Sequence, residues 1–183
     1  NWKLILVDDC SNEKTQTSLR KFKNHKKIKI FFLKKNHGAG YCRNYAIKKA
    51  NSKYLAFIDS DDIWKKKKLE KQINFMKKMK YKFTYTSYET FGLGKKKVIL
   101  PPLRFSYFDF IKNTSIGTST MIISSKIAKK VKFPNTKICE DYFYKCKILK
   151  KVKTAYCLNT CLTKYQIRKN SMQSNYFRKI YWI

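Results

Sequence analysis

The sequence predicts an α/β fold in which a parallel sheet is covered by helices. Two observations predict it. Apolar β-type runs alternate with helical patterns in units of about thirty residues, as in βαβ crossovers. Acidic residues directly follow the first and third of these runs, and α/β sheets bind ligands at the carboxyl ends of their strands. A length of 183 residues suits one domain with a substantial core.

The first half of the chain carries the clearest elements. Residues 4–7 form the first predicted strand, and the helix after it is capped by Ser11 or Asn12, with Leu19 and Phe22 facing inward. Residues 28–33 form the second strand. The glycine turn 36–40 then opens a helix in which small and apolar residues recur at helical spacing: Ala39, Cys42, Ala46, Ile47 and Ala50.

The third predicted strand is 54–58, and an amphipathic helix over 64–80 follows it. The helix positions expected to face inward are Leu69, Ile73, Met76 and Met79. Later elements are less regular. Strands are predicted at 83–88, 118–123 and 155–162, helices at 106–113 and 140–150, and a loop or hairpin at 91–105.

Composition limits the classes of partner. The formal net charge is +32, yet only five of the 43 basic residues are arginines. Nucleic-acid readers favour arginine, so we do not expect nucleic acid as the main partner. The lysine excess fits either a compositional bias of the source genome or attraction to an anionic membrane surface or phosphorylated substrates. A hydrophobic share of 43% argues against disorder, and the longest apolar runs are too short to cross a bilayer.

Seven of the eleven acidic residues stand in three tight clusters. The clusters are Asp8 with Asp9, Asp59 with Asp61 and Asp62, and Glu140 with Asp141. Neighbouring carboxylates repel one another, so a fold keeps them together where a cation, a proton or a polar ligand offsets the repulsion. The clusters therefore predict an active site.

The strongest cluster is the Asp-x-Asp formed by Asp59 and Asp61 at the end of the third predicted strand. Two carboxylates there can hold Mg²⁺ or Mn²⁺, which bridges nucleotide phosphates and offsets charge on a phosphate leaving group. The alternative is a solvated Asp-rich turn that caps the next helix. Asp141 has a similar alternative, since acids are common in the first turn of a helix.

Four ordered blocks resemble the motifs of family 2 glycosyltransferases, inverting enzymes with the GT-A nucleotide-sugar fold. The family motifs are V-D-D-x-S, N-x-G-x-x-x-A-R-N, a metal-binding strand end and E-D. The matching blocks are Leu6-Val7-Asp8-Asp9-Cys10-Ser11, Asn36-His37-Gly38-Ala39-Gly40-Tyr41-Cys42-Arg43-Asn44, Tyr54-Leu55-Ala56-Phe57-Ile58-Asp59-Ser60-Asp61-Asp62 and Cys139-Glu140-Asp141. Cys42 stands where the family usually has alanine.

The resemblance implies a Rossmann-like GT-A sheet with helices on both faces, forming a single catalytic domain over residues 1–183. The family's first strand would precede Asn1, so we expect the first strand to be missing and the C-terminus to be cut as well. A chain without that strand could bind nucleotide without catalysing transfer.

The resemblance also implies roles for the donor site. Asp8 and Asp9 would lie by the base and ribose of the nucleotide, and Arg43 would help to hold the nucleotide pocket. Asp61, with Asp59 nearby, would contact a divalent metal, Mn²⁺ or Mg²⁺, and the diphosphate.

In the catalytic step, Asp141 would be the general base that removes the proton of the acceptor hydroxyl. Residues 165–171 resemble the family's Y-R-x-H-x-x-S stretch without its histidine. Arg168 in this stretch either meets the diphosphate from a closing loop or is a surface arginine.

The predicted function is transfer of a sugar, with inversion, from a nucleotide sugar to an acceptor hydroxyl. We expect a UDP-sugar as donor and a glycan or lipid-linked acceptor of bacterial cell-surface polysaccharide, such as lipopolysaccharide or capsule. Peripheral contact with an anionic membrane at its cytoplasmic face fits the lysine-rich composition. Two alternatives stay open: a nucleotide-sugar-binding fragment without turnover and a basic nucleic-acid-binding domain.

Overall fold

A computed structural model of the chain describes residues 2–94 and 96–168. The α/β class predicted from the sequence is confirmed, because strands and helices alternate along these residues. The strands are β1 (Leu4–Asp8), β2 (Ile28–Phe32), β3 (Tyr54–Ala56), β4 (Ile63–Trp64), β5 (Phe83–Gly92), β6 (Val98–Ile99), β7 (Arg104–Ser106), β8 (Ile122–Ser124) and β9 (Thr154–Ile167).

The helices are mostly short, and their caps agree with the local sequence. Asn12 caps the first helix by accepting a hydrogen bond from the backbone N–H of Thr15, and Ser106 with Asp109 forms a capping box at the fourth. The helices are α1 (Glu13–Arg20), α2 (Ala39–Lys49), α3 (Lys68–Lys78), α4 (Tyr107–Lys112), α5 (Ser125–Ala128) and α6 (Glu140–Val152), with a 3₁₀ turn at Thr118–Thr120.

The contacts divide the chain into two compact units. The first unit comprises Asn1–Leu55 and Ser125–Ile148. In it β1 and β2 pair in parallel, with Leu4 opposite Ile28 and Asp8 opposite Phe32, and α2 packs against β1. The prediction of a single catalytic domain stays a prediction.

The second unit comprises Ala56–Ser124 and the chain from Leu149 onward. Its sheet is built around β5, which pairs in parallel with β9 and antiparallel with β6 and β8. The strands β4 and β7 pair antiparallel with β9. The core of this unit consists of fully buried side chains, among them Met76, Phe83, Tyr85, Phe105 and Phe110.

Several local predictions are wrong. The second unit has a mixed sheet, although the sequence predicted a parallel one. The helix predicted from residue 64 begins at Lys68, because Trp64 lies in β4. The predicted strand at 118–123 is a 3₁₀ turn followed by β8. The loop or hairpin predicted at 91–105 is confirmed in its hairpin form, since β6 pairs antiparallel with β5, and β7 begins at Arg104.

The predicted inner faces of two helices also need correction. Phe22 lies beyond the end of α1 and is exposed, and Met79 is exposed just after α3. The residues that α3 buries are Lys68, Gln72 and Met76, which are spaced by four and so share one helix face. None of the helices within residues 2–94 and 96–168 combines the length and apolar character that a membrane span requires.

Candidate functional site

Asp8 lies at the end of β1, where the sequence predicted a nucleotide-binding acid. Its side chain is buried, and Oδ2 accepts hydrogen bonds from the backbone N–H of Ser11 (3.2 Å) and from Nε2 of Gln16 (3.1 Å). These bonds hold the carboxylate in place between the end of the strand and the start of α1. No sequence pattern predicted the contact between Gln16 and Asp8.

Asp9 organises the glycine turn that opens α2. Its Oδ1 accepts from the backbone N–H of His37 (2.8 Å), and Oδ2 accepts from that of Gly38 (2.7 Å). Gly38 has φ of 87°, a conformation that favours glycine, so both the acid and the glycine of this motif serve the same turn. A carboxylate has about four lone-pair sites, and Asp9 therefore keeps acceptor capacity beyond these two bonds.

Cys42 packs near this turn and is a neutral thiol. Burial, with a further contribution from the Asp9 carboxylate, raises the pKa of Cys42 to about 12. All six cysteines are free. Cys42 is therefore not poised as a nucleophile.

Arg43 joins α2 to the start of α6. Its Nη1 donates to Oε1 of Glu140 at 2.7 Å, and its guanidinium lies 5.4 Å from the ring centroid of Phe133. Both charged side chains are largely buried. Gly40 makes this approach possible, since a Cβ there would lie 2.9 Å from the carbonyl oxygen of Pro134. The ion pair thus links α2 to α6 within the first unit.

Asp141 occupies the first turn of α6, next to Glu140 in sequence. Its Oδ2 accepts a hydrogen bond of 2.6 Å from Nζ of Lys145, which is buried on the following turn. The Asp141 side chain itself is 33% exposed, so a substrate hydroxyl could reach it. The ammonium group orients the carboxylate and stabilises its charge. Lys145 was not recognised from the sequence, although its i,i+4 spacing is a usable signal.

Asp59, Asp61 and Asp62 share one turn in the second unit. The backbone N–H of Asp62 donates to the carbonyl of Asp59 at 3.1 Å, and the N–H of Asp59 donates to Oγ of Ser119 at 2.9 Å. Oδ2 of Asp61 lies 3.2 Å from Nε of Arg168, and both side chains are partly exposed. The structure therefore brings Asp61 and Arg168 together, two residues that the sequence singled out more than a hundred positions apart.

Asp62 is the buried member of this turn. Its Oδ1 accepts from the backbone N–H of Gln166 at 2.9 Å, while Oδ2 has no hydrogen-bond partner among residues 2–94 and 96–168. Burial raises the pKa of Asp62 to about 6, and the neighbouring Asp59 and Asp61 carboxylates add to the rise. Asp62 thus anchors the end of β9 beside the acidic turn. The sequence analysis had placed it in the cluster without giving it a role.

A buried polar network holds the 3₁₀ turn that contacts the acidic turn through Ser119. Nε1 of Trp64 donates to the carbonyl of Ser119 at 2.7 Å. Nε2 of Gln72 donates to the carbonyl of Thr120 at 3.0 Å, and Nζ of Lys68 donates to Oε1 of Gln72 at 2.8 Å. The 3₁₀ turn that meets Asp59 is therefore held by side chains of β4 and α3. A helical pattern cannot reveal these contacts, because their partners lie far apart in sequence.

The acidic turn fits a hard divalent cation held by few protein ligands. Its donors are carboxylate oxygens, and an orphaned buried carboxylate oxygen lies in the same turn. Within the described part of the chain, no three His, Cys, Asp or Glu side chains converge as a complete metal cage. Mg²⁺ and similar ions in nucleotide sites usually keep waters and substrate phosphates beside one or two carboxylates. Asp61 and Asp59 can supply those two ligands.

Comparison with known proteins gives a consistent result. The family model described as Glycosyl transferase family 2 matches residues 1–142. TuaG of Bacillus subtilis (strain 168), named as a teichuronic acid biosynthesis glycosyltransferase, is 38% identical over 96% of this chain and 71% of its own length. The UDP-Glc:alpha-D-GlcNAc-diphosphoundecaprenol beta-1,3-glucosyltransferase WfgD of Escherichia coli is 33% identical over 98% of this chain and 71% of its own length.

Solved structures support the fold. The S. aureus TarS 1–349 structure in complex with UDP-GlcNAc matches with a TM-score of 0.79 and 22% identity, over 94% of this chain. The mannosyltransferase PcManGT from Pyrobaculum calidifontis, in complex with GDP-Man and Mn²⁺, matches with a TM-score of 0.71 and 12% identity, over 97% of this chain. The chain spans about half the length of each of these two structures, 51% in both cases.

Proposed function

This chain belongs to glycosyl transferase family 2, and we propose that it transfers a sugar from a UDP-sugar to a hydroxyl of a glycan or lipid-linked acceptor. The product would be part of a bacterial cell-surface polysaccharide, made at the cytoplasmic face of a membrane. The names of TuaG and WfgD, which refer to teichuronic acid and to a diphosphoundecaprenol-linked acceptor, support this choice of acceptor. The UDP-GlcNAc complex of TarS supports the choice of donor.

The observation that carries the proposal is the acidic turn with Arg168 beside Asp61. A partly exposed carboxylate next to a guanidinium offers one ligand for a cation and one donor for phosphate oxygens. Asp61 and Asp59 would hold a divalent cation, whose charge would stabilise the negative charge of the diphosphate leaving group. Arg168 would then release Asp61 and donate to the diphosphate.

The residues of the first unit have complementary roles in the proposal. The Asp8 carboxylate, fixed by Ser11 and Gln16, is ready to accept a hydrogen bond from a base or ribose. Asp9 shapes the glycine turn and keeps acceptor capacity. Arg43 acts through Glu140, with which it pairs, so we propose a positioning role for Arg43 rather than direct contact with the nucleotide.

In the proposed reaction Asp141 is the general base. The acceptor oxygen forms a bond to the anomeric carbon of the sugar as the bond from that carbon to the diphosphate oxygen breaks. The acceptor proton moves to Asp141, and the electron pair of the broken bond leaves with the nucleoside diphosphate. Attack from the face opposite the leaving group inverts the anomeric centre. Lys145 keeps the base oriented throughout.

Calorimetric titration of UDP into the chain, with and without Mn²⁺, tests the proposal. We expect Mn²⁺-dependent binding that Asp61→Ala abolishes and that Glu70→Gln, a change at an exposed acid of α3, leaves intact. Arg168→Ala should weaken binding while keeping its dependence on Mn²⁺. UDP binding without sugar release from any UDP-sugar would leave a binding fragment as the function. A folded chain that binds no nucleoside diphosphate would refute the donor site.

A further inference from the structure

One surface of the second unit exposes large apolar side chains between cations. It consists of Leu103, Arg104, Phe108, Ile111 and Lys112, and is called the β7–α4 surface below. Leu103 is 65% exposed, Phe108 70% and Ile111 39%. Single exposed apolar residues are normal in proteins, but three of them beside two exposed cations on adjoining elements form a patch that requires an explanation.

The local structure turns these side chains outward. Phe108, Ile111 and Lys112 stand at i, i+3 and i+4 of α4 and therefore share one face of that helix. The opposite face buries Phe110 against Phe105, whose ring centroid lies 5.9 Å away. The core of the unit therefore fixes α4 from one side and leaves the apolar and basic side free.

The backbone before α4 is fixed as well. The carbonyl of Leu103 accepts from the backbone N–H of Cys157 at 2.8 Å, and the carbonyl of Pro102 accepts from the hydroxyl of Tyr85 at 2.5 Å. Arg104 then enters β7, which pairs with the first residues of β9. Leu103 is therefore exposed although hydrogen bonds hold the backbone at this position.

Cations lie beside the apolar side chains, since Lys112 shares the exposed face of α4 with Phe108 and Ile111, and Arg104 directly follows Leu103. Arg104 and Lys112 line the same open hollow, whose volume is about 410 Å³. Nζ of Lys150 lies 4.5 Å from the ring centroid of Tyr107, at the first position of α4. The acid at this surface, Asp109, is engaged by the N–H and hydroxyl of Ser106, and these hydrogen bonds lower its pKa. Asp109 therefore stays negatively charged, but Arg104, Lys112 and Lys150 outnumber it, so the surface keeps a net positive charge.

We propose that the β7–α4 surface is where this chain docks on an anionic lipid bilayer. Aliphatic and aromatic side chains that project between cations match the bilayer interface, where hydrocarbon lies just below anionic head groups. A nucleic acid would satisfy the cations but offers no apolar region for Leu103 and Ile111. The inference rests on the proposed function for its purpose, since docking would bring the chain to a lipid-linked acceptor.

Sedimentation with vesicles tests the docking surface. Vesicles of phosphatidylcholine are compared with vesicles in which about a third of the lipid is phosphatidylglycerol, at low and at physiological salt. We expect binding to the anionic vesicles that weakens with salt. The double variant Phe108→Ser/Ile111→Ser should lower the partition coefficient at least roughly tenfold, because two apolar side chains no longer enter the bilayer.

Matched variants separate this surface from general basicity. Arg104→Gln/Lys112→Gln should weaken binding to anionic vesicles roughly twentyfold or more at low salt, from about fivefold per cation. Lys66→Gln/Lys71→Gln removes the same charge at exposed positions near and on α3 and should have a much smaller effect. Equal losses from the two pairs would overturn the proposal, because binding would then follow net charge. Phe22→Ser, at an exposed aromatic residue of the first unit, should change nothing.

A second measurement does not depend on loss of binding. Phe108→Trp should show fluorescence quenching by brominated lipids beyond that of the unchanged chain, and Phe22→Trp should not. Absence of extra quenching in Phe108→Trp on bound vesicles would overturn the proposal. So would self-association that Phe108→Ser/Ile111→Ser abolishes while vesicle binding persists, since the surface would then serve a second copy.

UDP titration of the same variants without lipid keeps the two proposals apart. If the chain binds anionic vesicles through this surface but binds no UDP, the proposed function fails and the docking surface stands. If the chain binds UDP normally but does not bind anionic vesicles, the proposed docking surface is refuted and the proposed donor site stands.

Discussion

Lys68 is a buried cation whose replacement should change stability in opposite directions at neutral and at high pH. Its side chain is 1% exposed, its Nζ donates to Oε1 of Gln72, and it lies 4.6 Å from the ring centroid of Trp64. Burial lowers the pKa of Lys68 from its ordinary value of 10.5 to about 7. In the unfolded chain the same group titrates at its ordinary value. The substitution Lys68→Met keeps the length of the side chain and removes the charge.

The sign follows from proton binding. Between pH 7 and pH 10.5 the unfolded chain holds a proton on Lys68 that the folded chain lacks, so this group makes the free energy of unfolding rise with pH. The slope is up to about 1.4 kcal/mol per pH unit, and the full effect is up to about 5 kcal/mol. Below pH 7 both states are charged and the penalty of burying the ammonium is complete. The Trp64 ring and Gln72 favour the charged form and reduce the amplitude.

Lys68→Met relieves this penalty and leaves Oε1 of Gln72 without its donor, which costs about 1–3 kcal/mol. The variant should therefore be more stable than the unchanged chain by about 2–4 kcal/mol near pH 7, from the difference of these two effects. Near pH 10.5, where the penalty has vanished, it should be less stable by about 1–3 kcal/mol. The two stability curves should cross between these pH values.

Urea unfolding under reducing conditions, followed by both circular dichroism and tryptophan fluorescence, measures the difference at several pH values. Other titrating groups cancel in the comparison of the two chains. Lys71→Met, an exposed change on the same helix, should show no pH-dependent difference. A difference for Lys68→Met that is flat from pH 7 to pH 10 would refute the reasoning. So would a nuclear magnetic resonance titration in which the Lys68 ammonium loses its proton at its ordinary pKa.

Three further changes test the first unit by urea unfolding. Gly40→Ala should destabilise it by about 1–3 kcal/mol, because the new Cβ would lie 2.9 Å from the carbonyl of Pro134; an unchanged stability would show that the backbone can yield. Arg43→Met should cost about 2–3 kcal/mol by leaving the Glu140 carboxylate unpaired, and adding Glu140→Gln should recover part of that loss. Asp9→Asn should cost about 1–3 kcal/mol, since an amide cannot accept from both N–H groups of the glycine turn; a neutral result would remove its structural role.

The sequence predicted well whatever depends on local pattern. The run before Asp8 is a strand because its apolar residues are contiguous, and Asn12 and Ser106 cap helices because their short polar side chains accept backbone N–H groups. The turn predicted at Gly38 is present, and its positive φ explains why a glycine occupies that position. Family membership followed from the order of four short motifs and is confirmed.

The same reasoning misjudged elements whose place is set by distant partners. Trp64 fits a helical pattern, but its backbone pairs with β9, so it lies in a strand. Its indole N–H donates a hydrogen bond to the carbonyl of Ser119. Lys68 and Gln72 do not belong to the apolar positions that the sequence predicted to face inward, and yet both are buried. Their polar groups find partners in each other and in the carbonyl of Thr120, and those partners are invisible in the local sequence.

The sequence by itself therefore determined which acids are candidate site residues, because clustered carboxylates in a basic chain are unusual wherever the chain folds. Tertiary structure decided which donor each acid contacts. Asp9 accepts from a backbone N–H of the glycine turn, and Asp62 accepts from the backbone near the end of β9. Asp61 pairs with Arg168, and Asp141 pairs with Lys145. A carboxylate bonds to whichever donor the fold brings within about 3 Å, and only long-range packing selects that donor.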